Sequence, residues 1–235
     1  MHKIEMSPEV LDRVKGFREG FHMFSNIDPL RTAHIIVDLQ NGFMEPGATV
    51  ELPVARDIVP NVNAICAAVR AAGAINVFIR YLVDEETQVN WSSWFNDFAS
   101  PQRRKAMIET FSKECHGFAL WPGLDVQSTD LIVDKTRFGA FVPGSSKLHE
   151  ILPERGIDTL IITGTATNVC CESTARDAMQ MNYKVIFVAD GNAALTDAEH
   201  NATLNNMVTL FADVMTTKEV VEFLGSAAAT KKAAA

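Results

Sequence analysis

Six short segments rich in valine, isoleucine and leucine recur along the chain, and they restrict its fold more than any other feature. Their apolar residues run consecutively instead of alternating with polar ones, which is typical of strands buried on both faces of a sheet. The predicted strands are residues 34–38, 75–81, 130–135, 159–164, 184–190 and 213–217.

Helical periodicity occupies the segments between these strands, at residues 57–72, 145–155 and 196–211. Ser145 is predicted to cap the second helix, and the capping-box spacing of Thr196 and Glu199 predicts the start of the third. Strands that alternate with helices indicate a parallel sheet with right-handed crossovers. We therefore expect a three-layer α/β/α fold, Rossmann-like, with a mostly parallel central sheet of about six strands.

The length of 235 residues and the 47% hydrophobic content fit one α/β domain. We assign that domain to residues 31–224, preceded by an N-terminal helical arm at 1–30 and followed by a frayed tail at 225–235. Residues 82–120 are longer than an ordinary crossover and are rich in aromatic residues, so we treat them as an insertion. Such insertions are typical of lids or subunit contacts.

Charge and motifs exclude several classes of partner. The net charge is −8 and no basic stripe is present, so nucleic acid is not expected to bind. The N-terminus is unlike a signal peptide and no apolar run could span a bilayer, so we expect a cytoplasmic protein with reduced thiols and no membrane partner. No C-x-x-C, H-E-x-x-H, G-x-G-x-x-G, Walker A or G-x-S-x-G motif occurs, so neither a metal nor a cofactor is expected.

Three reactive groups follow strands of the predicted sheet. Asp38 ends the first strand, Lys135 ends the third, and the fourth runs into a turn that contains Cys170 and Cys171. The carboxyl ends of parallel strands form one edge, where ligands bind in open α/β sheets. A cysteine that attacks a carbonyl carbon needs a proton acceptor and a cation beside its thiolate. The sequence therefore predicts an acyl-transfer site at this edge.

The turn that contains Cys170 and Cys171 gives a second reason to expect a reactive thiol. Thr167 or Asn168 is predicted to cap a helix that begins "VCCESTARDAMQM". A cysteine in its first turn meets unpaired backbone N–H groups and the positive end of the helix dipole, and both lower the pKa of a thiol. The same N–H groups are candidates to bind an oxyanion.

Three motifs carry a resemblance to a known family. "DLQNGF", "VDKTRFGAF" and "TGTATNVCCESTARDA", in this order and at strand ends, resemble the isochorismatase-like cysteine hydrolases over about residues 30–220. The resemblance implies an isochorismatase-like fold and the catalytic triad Asp38, Lys135 and Cys170. It also implies a cis peptide bond between Thr165 and Ala166, and an oxyanion hole formed by the backbone N–H groups of Ala166 and Cys170. Cys171, about 100° further round the helix, is then a packing residue.

The implied activity is that of a cysteine amidohydrolase. In its motifs the chain is most similar to ureidoacrylate and N-carbamoylsarcosine amidohydrolases, which implies cleavage of a C–N bond in a small linear amide, ureido or carbamoyl compound. The reaction would pass through an acyl-enzyme on Cys170 and release ammonia or an amine. The Asp-x-His metal motif of nicotinamidase-type members is missing, so no metal is implied. A homo-oligomer, dimer or tetramer, is also expected.

Two other functions remain open. One is a metal-free hydrolase of isochorismate or another enol ether on the same fold, against which Cys170 argues, and the other is a non-catalytic binding protein. Side chains that follow the Asp and Lys motifs, or lie in the insertion, are candidate substrate contacts. These candidates are Gln40, Asn41, Phe43, Trp91, Trp94, Arg137, Phe138 and Phe141.

Overall fold

A parallel sheet of six strands forms the centre of the computed structural model, which describes residues 1–16, 18–24 and 26–234. The strands are β1 (Thr32–Val37), β2 (Ile75–Tyr81), β3 (Leu131–Lys135), β4 (Thr159–Thr165), β5 (Lys184–Ala193) and β6 (Asp213–Met215). Their order is β3-β2-β1-β4-β5-β6, and every neighbouring pair is parallel. The predicted fold class is confirmed.

Helices cover both faces of the sheet. They are α1 (Pro8–Lys15), α2 (Asn41–Met44), α3 (Val59–Ala72), α4 (Glu85–Asn90), α5 (Pro101–Phe111), α6 (Leu148–Glu154), α7 (Glu172–Gln180), α8 (Asp197–Asn206) and α9 (Thr217–Ala234). Short 3₁₀ turns occur at Pro29–Arg31, Pro53–Arg56 and His116–Phe118, and π-helical turns at Ser93–Phe98, Thr167–Cys171 and Met207–Phe211. No helix within the described ranges is long and apolar enough to cross a membrane.

The continuous apolar character of the strands follows from this layering. Along β1, Ile35 and Val37 belong to the core beneath α1, α6, α7 and α8, whereas Ile36 between them belongs to the opposite core beneath α3. Successive strand residues point to opposite faces. Since both faces are covered, every position of β1 is buried.

Side-chain hydroxyl groups cap the starts of α6 and α8, and the sequence predicted one of these two caps correctly. The capping box of α8 is confirmed, because the N–H of Glu199 donates to Thr196 Oγ1 at 3.2 Å. The predicted cap at Ser145 is wrong: the N–H of Leu148 at the start of α6 donates to Ser146 Oγ at 3.1 Å. Ser145 instead donates its hydroxyl to the carbonyl of Gly139, so it closes the preceding loop.

The N-terminal arm and the C-terminal tail were both predicted from the sequence, and only the tail differs from its prediction. The arm contains α1, whose Val14 is buried in the core beneath the sheet. The tail expected to fray from residue 225 is helical through Ala234, as the last part of α9. Alanine has the highest helix propensity, which accounts for the helix in this alanine-rich segment. Residue 235 lies outside the described residues.

The insertion at 82–120 folds into α4, the π-helical turn, α5 and a 3₁₀ turn. Its residues Phe95, Met107 and Phe111 pack with Tyr81 at the end of β2 and with Val50 in one apolar cluster. The insertion is therefore fixed above the carboxyl edge of the sheet, where the functional side chains are.

Candidate active site

The structure brings Asp38, Lys135 and Cys170 together at the carboxyl edge of the sheet. Lys135 Nζ lies 2.7 Å from Asp38 Oδ2, and neither side chain has any exposed surface. Cys170 is 6% exposed and its thiol lies close enough to interact with both charges, while Asp38 Oδ1 has no hydrogen-bond partner among the described residues. A carboxylate, an ammonium and a thiol thus share one buried site.

The Lys135 side chain is long enough to reach Asp38 across the strand that lies between them. β2 lies between β1 and β3, and in the register of the sheet Tyr81 pairs with Lys135. The ammonium lies 5.0 Å from the centre of the Tyr81 ring and reaches Asp38 beyond it. It also donates to the carbonyl of Arg137 at 3.0 Å, so two of its three protons are held by the protein.

The backbone around Asp38 and β4 is unusual at two positions. Asp38 has φ of 54°, in the left-handed region. Gly164, paired with Val37, has φ of 126°, and a Cβ there would lie 2.1 Å from the carbonyl oxygen of Val37. Only glycine permits this approach of β4 to β1. The peptide bond between Thr165 and Ala166, at the end of β4, is cis, as the family resemblance implied.

The turn that carries Cys170 is not capped as expected. Neither Thr167 nor Asn168 caps it, and it begins as a π-helical turn in which the carbonyl of Ala166 accepts the N–H groups of Val169 and Cys171. The Thr167 hydroxyl lies 2.9 Å from His200 Nδ1, and His200 Nε2 donates to the carbonyl of Ala189 at 3.0 Å. A buried histidine on α8 therefore takes the hydroxyl that was expected to cap the turn.

The electrostatics of the site correct one expectation. Burial raises the pKa of the Cys170 thiol, and the nearby Lys135 ammonium only partly opposes this, so the expected low thiol pKa is wrong for the site without ligand. Burial also raises the pKa of Asp38, against the opposing effect of Lys135. For Lys135 burial acts to lower the pKa, but the effects of Asp38 and Cys170 together exceed it, and the pKa is raised. Burial thus makes both the thiol and the carboxyl group hold a proton more firmly than exposed groups do, and Lys135 opposes this at both.

A cavity of about 320 Å³ opens onto Cys170. Its wall is largely apolar, and two buried polar groups on it, Tyr81 Oη and Trp94 Nε1, have no hydrogen-bond partner among the described residues. The lining residues are Phe43, Thr49, Val50, Glu51, Leu52, Tyr81, Trp94, Arg103, Met107, Phe138, Ala166, Asn168, Val169, Cys170, Leu195 and Glu199.

Of the aromatic candidates for substrate contact, Phe43, Trp94 and Phe138 line this cavity. Trp91 lies outside the lining, with its ring stacked on Trp94 at 5.7 Å and edge-on to Phe138 at 4.8 Å. It supports the wall from outside the cavity. Phe141 is wrong as a contact: it is buried in the core with Tyr183, 5.6 Å away.

The polar candidates bind mainly to the protein, although Asn41 Oδ1 is buried and has no hydrogen-bond partner among the described residues. Gln40 is fully buried, and its amide donates to the carbonyls of Tyr81 and Phe118 while its Oε1 accepts the N–H of Tyr81. The Asn41 amide donates to the carbonyl of His116 at 3.0 Å. The Arg137 guanidinium donates to the carbonyls of Thr136 and Asn90. None of the three lines the cavity. Gln40 is wrong as a substrate contact because it is buried with its amide bonded, and for Asn41 and Arg137 substrate contact stays a prediction.

Several lining residues were missed by sequence reasoning. Arg103 and Met107 are four residues apart on α5, and that spacing puts them on one helix face. Tyr81 ends β2, between the strands that end near Asp38 and at Lys135, so its place at the same edge was readable from the strand order. Leu195 lies just before α8 and Glu199 in its first turn, and no sequence signal connects them to this site.

No group of three or more His, Cys, Asp or Glu side chains in the described part of the chain is arranged to hold a metal ion. Cys170 lines the cavity, and the ammonium of Lys135 and the carboxylate of Asp38 are buried beside it. That set suits covalent and acid–base chemistry at a carbonyl carbon.

The fold and the site agree with one family. The model of the isochorismatase domain matches residues 32–219. The chain belongs to the isochorismatase family.

Relatives of the chain include ureidoacrylate amidohydrolases. Ureidoacrylate amidohydrolase RutB of Pseudomonas savastanoi pv. phaseolicola is 32% identical over 196 residues, which are 78% of this chain and 79% of the relative. The uncharacterized isochorismatase family protein YwoC of Bacillus subtilis is 31% identical over 198 residues, which are 84% of this chain and 96% of the relative. The crystal structure of a cysteine hydrolase from Pseudomonas syringae pv. phaseolicola covers 90% of this chain and 100% of that chain, with 29% identity and a TM-score of 0.76.

Proposed function

We propose that the protein is a cysteine amidohydrolase that cleaves a C–N bond in a small linear amide, ureido or carbamoyl compound. The observation that carries this proposal is the buried Asp38–Lys135 ion pair, with Cys170 beside it at a cavity of about 320 Å³. A thiol that can pass its proton to a neighbouring carboxylate is an activated nucleophile. The similarity to an amidohydrolase supports the choice of bond.

Acylation begins with the transfer of the Cys170 proton to Asp38. Burial raises the pKa of Asp38, so this carboxylate is a stronger base than an exposed one. Lys135 remains charged and stabilises the thiolate as it forms. The thiolate then attacks the carbonyl carbon, and the oxygen that becomes negative is bound by the backbone N–H groups of Ala166 and Cys170.

Collapse of this intermediate expels the nitrogen. Asp38, now carrying the thiol proton, donates it to the leaving nitrogen, which departs as ammonia or an amine and leaves a thioester on Cys170. Asp38 next takes a proton from a water molecule that attacks the thioester. The acid product leaves, and the proton on Asp38 returns to the sulfur. One water is consumed and one C–N bond is broken in each cycle.

The size of the cavity restricts the substrate. A volume of about 320 Å³ lies at the small end of the range for ligand pockets. The rings of Phe43, Trp94 and Phe138 give it flat apolar walls. These walls suit a short, planar acyl or carbamoyl group and exclude a peptide chain.

The test compares two adjacent cysteines. Ammonia release is measured for wild type, Cys170→Ala and Cys171→Ala over small amides, ureido acids, biuret and N-carbamoyl amino acids. Cys170→Ala is expected to lose about a thousandfold or more of the activity, since the nucleophile is removed. Cys171 is fully buried and does not line the cavity, so Cys171→Ala is the matched control and should retain activity.

Turnover by Cys170→Ala at the wild-type rate would contradict the proposal. Release of pyruvate from isochorismate by wild type, with no ammonia from any amide tested, would favour the enol-ether alternative. A thioester on Cys170, seen as a mass increase on the peptide that contains it, would identify the acyl-enzyme directly.

A further inference from the structure

The turn that carries Cys170 forms part of the wall of the catalytic cavity. Four of its residues line the cavity: Ala166, Asn168, Val169 and Cys170. Thr167 lies between the first two, but it is fully buried and does not line the cavity. Its side chain therefore connects the cavity wall to the layer of the protein behind it, and its contacts there help to fix the position of the wall.

The partner of Thr167 is a buried histidine on α8. Thr167 Oγ1 lies 2.9 Å from His200 Nδ1, and neither residue has any exposed surface. His200 Nε2 lies 3.0 Å from the carbonyl oxygen of Ala189. A carbonyl oxygen can only accept, so Nε2 carries the proton of the neutral ring and Nδ1 carries the lone pair. The Thr167 hydroxyl is therefore the donor and the imidazole the acceptor.

The imidazole of His200 is held in one orientation. Its ring stacks on that of His2, with the centroids 4.4 Å apart and 17° between the planes. His2 is fixed in turn, because its Nε2 accepts the N–H of Ala194 at 2.9 Å and its Nδ1 donates to Asp197 at 2.7 Å. Burial lowers the pKa of His200 to about 4, so Nδ1 keeps its lone pair at neutral pH. The acceptor that Thr167 uses is thus preorganised.

The Thr167 bond bears most directly on the backbone N–H of Ala166. Ala166 is the residue before Thr167, and its N–H donates to no acceptor within the described ranges. Its carbonyl, in contrast, accepts the N–H groups of Val169 and Cys171. The Cys170 side chain is held independently, because it packs in the core that α7 covers. Loss of the Thr167 bond would therefore displace the free N–H more than the sulfur.

We propose that His200, acting through Thr167, is a positioning residue that holds the backbone N–H of Ala166 at the point where the oxyanion forms. Neither His200 nor Thr167 lines the cavity, so neither contacts the substrate. A preorganised donor stabilises a transition state only when it is aimed at the developing charge, and a misplacement of about 1 Å costs about a hundredfold in rate. This inference deepens the proposed function and rests on it for the role of the Ala166 N–H.

The kinetic test removes the Thr167 hydroxyl and keeps the shape of the side chain. Thr167→Val has no donor, and its kcat for ammonia release from the best amide should fall about 10- to 100-fold. KM should change less than about threefold, because the oxyanion is present in the transition state and not in the bound substrate. Thr167→Ser restores the donor and should recover most of the loss in kcat.

His200→Leu removes the acceptor and tests the same bond from its other end. Its kcat should fall into the same range as that of Thr167→Val. The double variant should fall no further than either single variant, because the same bond is lost in all three. Losses that multiply in the double variant would show that the two side chains act independently, and they would overturn the inference.

A second threonine–histidine pair supplies the matched control. Thr163 Oγ1 lies 2.8 Å from His34 Nε2, and both residues are fully buried in the sheet and outside the cavity lining. Thr163→Val loses the same kind of bond, so its melting temperature should fall about as far as that of Thr167→Val, while its kcat stays near that of wild type. Equal losses of kcat in the two valine variants would overturn the positioning role, because general weakening of the fold would then be the cause.

Alkylation of Cys170 distinguishes the position of the N–H from that of the sulfur. Iodoacetamide reacts when the thiolate displaces iodide from a saturated carbon, so no oxyanion forms. Its rate of reaction is followed by mass spectrometry, with Cys170→Ala as the blank, and should differ less than about threefold between wild type and Thr167→Val. A fall in alkylation as large as the fall in kcat would overturn the inference, because the bond would then position the sulfur.

The same measurements separate this inference from the proposed function. Wild type that releases no ammonia from any amide would overturn the proposed function, and this inference with it. An active wild type together with fully active Thr167→Val and His200→Leu would overturn this inference alone.

Discussion

Asp38 and Lys135 are oppositely charged, fully buried and 2.7 Å apart, so each stabilises the charge that the other must carry. Removing one partner leaves an unpaired charge in the interior, at a cost of about 3–5 kcal/mol. Lys135→Met should therefore lower the free energy of unfolding by about that amount, measured by urea titration at pH 7. The double variant Asp38→Asn with Lys135→Met should recover part of the loss, because no charge is then left unpaired.

The matched control for this prediction is an exposed ion pair. Lys105 and Glu109 lie 3.7 Å apart on the surface of α5, and Lys105→Met should change stability little because water screens that pair. Equal losses for Lys105→Met and Lys135→Met would contradict the argument from burial. A double variant less stable than Lys135→Met would do so as well.

Sequence reasoning succeeded for residues whose position depends on strand order alone. Asp38, Lys135 and Cys170 each follow a strand, and the carboxyl ends of parallel strands must meet at one edge. The prediction of substrate contacts failed for Gln40 and Phe141. Their side chains contact residues distant in the chain, such as Phe118 and Tyr183, and one sequence does not show those contacts. The direction of the Cys170 pKa shift was missed for the same reason. Burial by surrounding segments decides it, and one sequence does not display burial.

At the scale of elements, the insertion at 82–120 forms much of the wall opposite the nucleophile. It supplies Trp94, Arg103 and Met107 to the cavity. The sequence indicated a lid or a subunit contact, and its aromatic residues were recognised as unusual. The inward face of α5 was not recognised, since arginine and methionine at helical spacing also occur on ordinary surface helices. The fold of the sheet was therefore predictable in more detail than the shape of the pocket above it.

The amide of Asn201 on α8 binds the backbone of the N-terminal arm at two residues. Asn201 Oδ1 accepts the N–H of Glu5 at 2.6 Å, and Asn201 Nδ2 donates to the carbonyls of Lys3 and Asp197, each at 2.8 Å. Asn201→Ala removes all three bonds. We expect it to lower the free energy of unfolding by about 1–3 kcal/mol and to speed proteolytic cleavage within the arm.

Asn206→Ala is the control for this change on the same stretch of chain. Its amide makes one long bond, 3.3 Å to Glu172 Oε1, and it does not touch the arm. It should leave the rate of arm cleavage unchanged. If both variants released the arm equally, general weakening of α8 and not loss of the Asn201 bonds would be the cause.

Two buried histidines make the stability of the whole fold depend on pH. His34 lies in the middle of the sheet between Asn76 and Thr163. Burial lowers its pKa to about 3, against the opposing effect of the hydrogen bond with Asn76. Burial also lowers the pKa of His200 to about 4. Both imidazoles are thus neutral in the folded protein at pH values where an unfolded chain, with a histidine pKa of about 6.5, binds a proton.

The sign of the effect on stability follows from this difference in bound protons. Between about pH 4 and 6.5 the unfolded chain holds more protons on these histidines, so stability falls as the pH falls, by up to about 1.4 kcal/mol per pH unit for each one. Above about pH 6.5 both states are neutral there and this dependence ends. Burial raises the pKa of Asp38 and Asp177, and a raised carboxyl pKa makes stability rise as the pH falls. The effect of one histidine must therefore be measured by comparing wild type with a variant that lacks it.

Urea titrations of wild type and His34→Gln at pH 7, 6, 5 and 4.5 make that comparison. His34→Gln loses some stability at pH 7, because the bonds to Asn76 and Thr163 are disturbed. Its stability should then fall less steeply than that of wild type below about pH 6, by about 1.4 kcal/mol per pH unit. Parallel curves for the two proteins would mean that His34 is already protonated in the folded state. The buried imidazole would then need a charged partner that its neighbours Asn76, Thr163 and Cys66 do not provide.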